Sequence, residues 1–193
     1  MSSEWPLAKL GDLTVNLDTK RKPVKEADRK PGPYPYYGAS GIVDYVDGYI
    51  FDGEHLLIAE DGENLRTRQT PIAFRACGKF WVNNHAHILQ GNNGVSTEQL
   101  MLFLKRTNIQ PYITGAVQAK LSQSNMWKIN FLNPSRQISE AFGGVVKPLF
   151  DSLRQNADIA NTLTNLRDAL LPRLISGQLR LSEAEAEIEA LTT

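Results

Sequence analysis

Tyr36-Tyr37-Gly38-Ala39-Ser40-Gly41-Ile42-Val43-Asp44-Tyr45-Val46-Asp47-Gly48-Tyr49-Ile50-Phe51 is a run of β-branched and aromatic residues cut by glycines. Such side chains fit a pleated, half-buried surface, and glycine supplies the turns between strands. From Val43 to Phe51 the pattern alternates around Asp47-Gly48, a dipeptide that gives positive φ to a tight turn, which predicts a β-hairpin turning there. Leu56-Leu57-Ile58-Ala59 follows, apolar on both faces and closed by Asp61-Gly62, as expected of a central strand. Residues 71–75 and 79–89 extend the strand pattern, with Gly78 and Gly91 as punctuation, and residues 5–17 read as an opening strand and turn.

Beyond this strand-rich block, Ser96 with Gln99 three residues later has the form of a capping box, and Leu100, Phe103 and Leu104 share one face of the helix it opens. Pro111 suits the first turn of another short helix and Gly115 its end. The texture changes at Gln137. With Phe142 as heptad position a, the a positions are Phe142, Leu149, Asn156, Leu163 and Leu170, and the d positions are Val145, Ser152, Ile159, Leu166 and Arg173; seven of the ten are apolar, which predicts a pairing helix. Pro148 lacks an N–H and predicts a break, leaving a main helix over residues 148–171 that Pro172 and Gly177 end. Ser182 with Glu185 either caps a last acidic helix or belongs to an unstructured tail. These elements give an α+β fold: a strand-rich domain over residues 1–136, a long coiled-coil-forming helical region over 137–181, and an acidic tail over 182–193.

At 193 residues, 41% hydrophobic and 22% charged, the chain buries one good core and an appendage. Its apolar runs are too short to cross a bilayer, and Met1-Ser2-Ser3-Glu4-Trp5-Pro6 has no export pattern, so a cytoplasmic protein without a membrane partner is expected. The single cysteine, Cys77, excludes an internal disulfide and suits a reducing compartment. Net charge is zero, yet residues 1–136 carry 16 basic and 13 acidic side chains and residues 137–193 carry 5 and 8. A nucleic-acid partner would therefore meet a mildly basic domain, and tight binding would need a more basic companion chain.

Signatures of catalysis are missing. His85 and His87 would share one face of a strand, but two ligands are too few for a metal, and neither metal nor cofactor is expected. His55, between Glu54 and Leu56, reads as a lone surface or turn histidine and carries no signal. Asn133-Pro134-Ser135 only approaches the catalytic tetrapeptide of a DNA methyltransferase, lacking the second proline and the aromatic residue that stacks a flipped base. Gly91-Asn92-Asn93-Gly94 has no following Lys-Ser or Lys-Thr and is no phosphate loop. Residue types suited to base edges do cluster near basic ones: Arg66 and Arg68 in a loop, Asn83, Asn84, His85 and His87 on a strand, and Lys120, Ser122 and Gln123 in a second loop. Asn and Gln pair bidentately with adenine and Arg with guanine, which is what direct readout requires. The basic run with Lys20, Arg21 and Lys22 reads as a solvated loop or as a phosphate contact.

The block over residues 34–87, the opening Trp5 with Leu10-Gly11-Asp12, the loop over 115–124 and the stretch 163–179 together resemble the specificity subunit of type I restriction-modification enzymes. The resemblance covers nearly the whole chain and implies a non-catalytic subunit: one target recognition domain reading half of a bipartite site on double-stranded DNA, followed by a helical spacer. It also implies docking of methyltransferase and restriction subunits. One recognition domain and one spacer make half of a usual subunit, so a second half is expected, either a second copy or a different chain. Leu149, Asn156, Ile159, Leu163, Leu166 and Leu170 would form that helix interface, with Asn156 fixing register. Other classes consistent with the residues are a free-standing DNA-modifying enzyme and an interaction module with no DNA role.

Overall fold

The computed structural model describes residues 5–180. The acidic tail, with the two alternatives expected at Ser182 and Glu185, lies outside them. The chain divides into a unit over residues 1–147 and a second over 148–193.

The first unit is built on a four-stranded antiparallel sheet in the order β2 (Thr14–Asn16), β8 (Ala86–Gly91), β5 (His55–Ala59), β6 (Ala73–Ala76). β5 is central and wholly buried, as its continuous apolar run requires. Leu56 and Ile58 face one core, with Leu10, Leu89 and Leu100, while Leu57 faces a second, with Phe51, Phe80 and Ile88. Each such side chain contributes about 1.5–3 kcal/mol by leaving water. Helix α1 (Asn64–Thr67) follows β5, and α2 (Thr97–Arg106) covers the first core through Leu100 and Leu104. Half of the expected capping box is present: Ser96 Oγ accepts from Gln99 N at 3.1 Å, while Gln99 Oε1 does not return a bond to Ser96 N.

A second sheet holds β4 (Gly41–Val46), β3 (Pro31–Gly38) and the short β7 (Trp81–Val82), the last pairing parallel to β3. The hairpin exists, but its turn falls at Ala39-Ser40 and not at Asp47-Gly48. Gly41 takes φ +127° there, whereas Asp47 N donates to Lys30 O and Gly48 has no positive φ. Residues 79–89 also split between two sheets, because the chain turns at Asn84-His85 between β7 and β8. Asn83 Oδ1 accepts from His85 N at 2.8 Å, a side-chain turn that competes with strand pairing. A third, two-stranded sheet pairs β1 (Leu7–Lys9) with β9 (Asn130–Leu132), and α3 (Gln123–Met126) precedes β9.

Helix α4 (Arg136–Ile175) begins in the first unit and ends in the second. Pro148 stands inside it without the expected break. The proline removes a single backbone donor, and the helix runs through it on the bonds of the flanking turns. Pro172 is likewise inside the helix, and Gly177, at φ +70°, follows its end. In the second unit Leu166, Leu170, Leu174 and Leu179 pack together, while Leu149, Leu153, Ile159 and Leu163 are exposed.

Candidate nucleic-acid interface

Three segments far apart in sequence meet around the C-terminal end of β5: the 3-10 turn Asp18–Lys20 with Arg21, the turn at Asn83 to His85, and the loop from Lys120 to Gln123. Asp18, Thr19, Arg21, Glu60, His87, Lys120, Ser122 and Gln123 line the recess between them, a hollow of about 400 Å³.

Its floor is a closed polar network. The Arg21 guanidinium donates through Nη1 to Glu60 Oε2 at 2.7 Å, to Ala86 O at 2.9 Å and to Asn84 O at 3.3 Å, and through Nε to Asp18 O at 3.1 Å. His87 is buried, its Nδ1 2.6 Å from Asp18 Oδ2 and its Nε2 2.7 Å from Leu121 O. The other oxygen of Asp18 accepts from Ile88 N at 2.8 Å. Burial raises the Asp18 carboxyl's affinity for a proton, but the bonds and charge of His87 and the Ile88 amide outweigh it and hold its pKa below the ordinary value. Gln123 Nε2 donates to Asn16 Oδ1 at 2.8 Å, and Lys120 Nζ lies 3.4 Å from Glu60 Oε1.

Asp18, Glu60 and His87 place three potential ligand atoms within 4.8 Å of one another, the one such group among the described residues. The two carboxylates already face two cations, Arg21 and Lys120. No net negative charge remains to attract a metal, so the geometry is that of a structural fastener.

What reaches solvent is narrower than the residue types predicted. His85 projects with its side chain about half exposed, its Nδ1 2.8 Å from Asp61 Oδ2. Asn84 is exposed at the turn, Asn83 is spent on His85 N, and Lys120 is half exposed. His87 and His85, expected on one strand face, diverge: one is in the core and one is at the surface. Of the predicted residues, Asn83, Asn84 and His85 border the recess through Arg21 and Asp61 without lining it, and Arg66 and Arg68 do not line it. Arg66 Nη2 binds the carbonyls of Gly115 and Ala116, and Arg68, in the left-handed conformation at φ 52°, binds Thr107 O. Lys20 and Lys22 are exposed beside Arg21; Lys22 O accepts from Trp81 Nε1 at 2.6 Å. Sequence reading missed His55, which is buried against Phe51 and Phe80 with its pKa lowered by desolvation.

A second network ties Lys147 of helix α4 to Glu54, just before β5, and through it to β6 and α2. Arg75 bridges Glu54 and Glu98, and Lys147 Nζ lies 2.8 Å from Glu54 Oε2. Burial and a shared hydrogen bond with Glu54 raise the pKa of Glu98, and Glu54 is held low. No helix of the described residues is long and apolar enough to cross a membrane.

Comparison with known proteins places this architecture. The profile of a family described as type I restriction modification DNA specificity domain matches residues 2–168. A Haemophilus influenzae protein named as a type I restriction enzyme specificity subunit is 40% identical over 127 residues, 65% of this chain and 32% of that one. The EcoprrI specificity subunit of Escherichia coli is 27% identical over 140 residues, 69% of this chain and 34% of that one. The crystal structure of the type I restriction-modification S subunit from M. genitalium superposes with a TM-score of 0.59 at 20% identity, covering 86% of this chain and 44% of that one. The chain thus spans about a third of the length of these two sequence relatives and less than half of the solved one.

Proposed function

The chain belongs to the type I restriction-modification DNA specificity family, and from that membership we propose that it reads one half of a bipartite DNA target and docks methyltransferase and restriction subunits without catalysing a reaction itself. The observation that carries this reading is the recess. Three loops converge on it, their backbones fixed from beneath by Arg21, Asp18 and His87, while Asn84, His85 and Lys120 stand free of the core. A rigid base with exposed donors and acceptors is what base-edge readout needs. Lys120 and the exposed Lys20 and Lys22 supply phosphate contacts.

The domain organisation follows the same line: residues 1–136 recognise, and residues 137–181 space and pair. The exposed Leu149, Ile159 and Leu163, with Asn156 and Leu166, form a seam that a second spacer helix covers in antiparallel register, and Leu170, already buried beside Leu179, closes its end. A homodimer would read a two-fold symmetric split site, and a different half an asymmetric one. The paired length of about 23 residues spans roughly 35 Å, near one turn of B-DNA, so both half-sites face one side of the duplex.

Reconstitution with methyltransferase subunits tests this. The complex is expected to methylate and bind a split target at a salt-dependent affinity, and the chain alone is expected to do neither chemistry. Methyl transfer or DNA cleavage by the purified chain, or a complex whose target is indifferent to this chain, would overturn the proposal.

A further inference from the structure

Helix α2, strand β9 and the first turns of α4 enclose a cleft of about 790 Å³ whose lining includes Trp5, Phe103, Leu132, Ile138 and Phe142. Four of these are exposed by more than two-fifths: Trp5 43%, Leu132 49%, Ile138 45% and Phe142 42%. Apolar residues scattered singly over a surface need no partner, but a contiguous concave set of aromatic and branched side chains marks a docking surface. Its cationic members, Lys105 and Arg106, are both exposed and make no ion pair among the described residues. The occupant should therefore be apolar along one side and acidic along the other.

This chain contains such a segment outside the described residues. Leu181-Ser182-Glu183-Ala184-Glu185-Ala186-Glu187-Ile188-Glu189-Ala190-Leu191 has four glutamates and no basic residue, with Leu181, Ala184, Ile188 and Leu191 recurring at spacings of three and four. The seam from Leu149 to Leu170 has its midpoint at Ile159-Ala160. A copy related by a two-fold axis at that midpoint sets position 175 of one helix opposite position 144 of the other. The chain turns at Gly177 and folds Leu179 back on Leu170 and Leu174, which starts the following segment beside positions 138–144 of the other copy, within a few residues' reach of the cleft.

We propose that the acidic segment 181–191 of a second copy of this chain occupies the cleft, its apolar residues against Trp5, Ile138 and Phe142 and its glutamates beside Lys105 and Arg106. The inference rests on the helix pairing proposed above. Each copy then holds the other at two separate places: along the seam and at the root of the helix.

Two full-length chains, both Cys77→Ser, supply the test, one with Ile138→Cys and the other with Ile188→Cys. Mixed and oxidised, they are expected to form a disulfide between copies far in excess of that formed when Ile138→Cys is replaced by Val117→Cys at a position 97% exposed. Charge reversal gives an independent readout. Lys105→Glu with Arg106→Glu should weaken self-association roughly tenfold, from two exposed charge contacts per cleft. The fourfold Glu→Lys change at positions 183, 185, 187 and 189 should do the same. Mixing these two variants restores both matched clefts and should yield the heterodimer in preference to either homodimer, as native mass spectrometry reads. If neither reversal alters self-association while Leu163→Asp with Leu166→Asp abolishes it, the docking is wrong and the helix pairing stands. A wild-type chain that sediments as a monomer at all concentrations removes both. A disulfide formed inside one chain by the doubly substituted Ile138→Cys, Ile188→Cys protein in high dilution, with none between copies, also overturns the assignment.

Discussion

Asp18 and His87 lie 69 residues apart in the chain and meet at 2.6 Å, both buried. Through this pair the 3-10 turn Asp18–Lys20 is fastened to strand β8, and through His87 Nε2 to the loop at Leu121.

Asp18→Asn should therefore lower unfolding free energy at pH 7 by about 2–4 kcal/mol, since it removes one partner from a buried hydrogen-bonded pair. The sign of the pH dependence follows from the depressed pKa. The folded protein holds the carboxylate ionised below the ordinary 3.8, so the wild-type contribution is present above that value and is lost as pH falls through the folded pKa. Thermal melts from pH 7 to pH 3 should converge for wild type and variant at the acid end. Parallel curves would show that Asp18 does not carry this dependence.

Glu98 has the opposite sign. Its raised pKa favours the protonated carboxyl in the fold, so its contribution is full below the ordinary 4.5 and is lost as pH rises through the folded value. Glu98→Gln keeps a neutral amide at the same place and should match or exceed wild-type stability at pH 8, by on the order of 1 kcal/mol, with the difference vanishing near pH 4. Denaturant titrations at the two pH values measure it, and a variant destabilised at pH 8 would refute the assignment.

At the recess, alanine at Asn84 or His85 should cost the reconstituted complex about 1–3 kcal/mol in specific binding and relax one target position. Lys120→Ala should weaken binding to all sequences and reduce the salt slope by about one. Arg66→Ala should act differently, loosening the loop at Gly115-Ala116 that its guanidinium holds and lowering stability along with binding. Fluorescence anisotropy at several salt concentrations, with melts of each variant, separates these outcomes; binding unchanged in all four would move the DNA face elsewhere.

Along α4, Leu163→Asp with Leu166→Asp puts unpaired charges into the seam, should cost several kcal/mol of pairing and should give monomers. Four residues inserted near Asn161 should separate the recognition domains by roughly 6 Å and lengthen the unread spacer by one or two base pairs. Light scattering on the first variant and methylome sequencing on the second decide the matter, an unchanged dimer or spacer counting against it.

Much of this fold is legible in sequence where one physical cause dominates. Strand β5 shows itself by an apolar run that only a strand buried on both sides tolerates, and α2 by Ser96 and its periodic leucines. The failures lie where two causes compete. Asp47-Gly48 and Gly38 to Gly41 both offer a hairpin turn, and cross-strand pairing, invisible locally, selects the second. Asn83 has strand neighbours on both sides, but its side chain bonds His85 N and bends the chain. At the site, residue types are legible and their directions are not: Arg21 and His87 turn inward to acceptors supplied by distant segments, while Asn84 and His85 remain outside. Pro148 signals a break, but it removes one donor from a helix of 40 residues that runs through it.

The Arg21 clamp grips main chain at Asn84 and Ala86, carbonyl oxygens that every amino acid carries. Whatever side chain stands at position 84 hangs from a turn whose shape it does not determine. On the proposed reading, heritable change there alters what is read without disturbing the frame beneath it, and a new target lies within a single codon's reach.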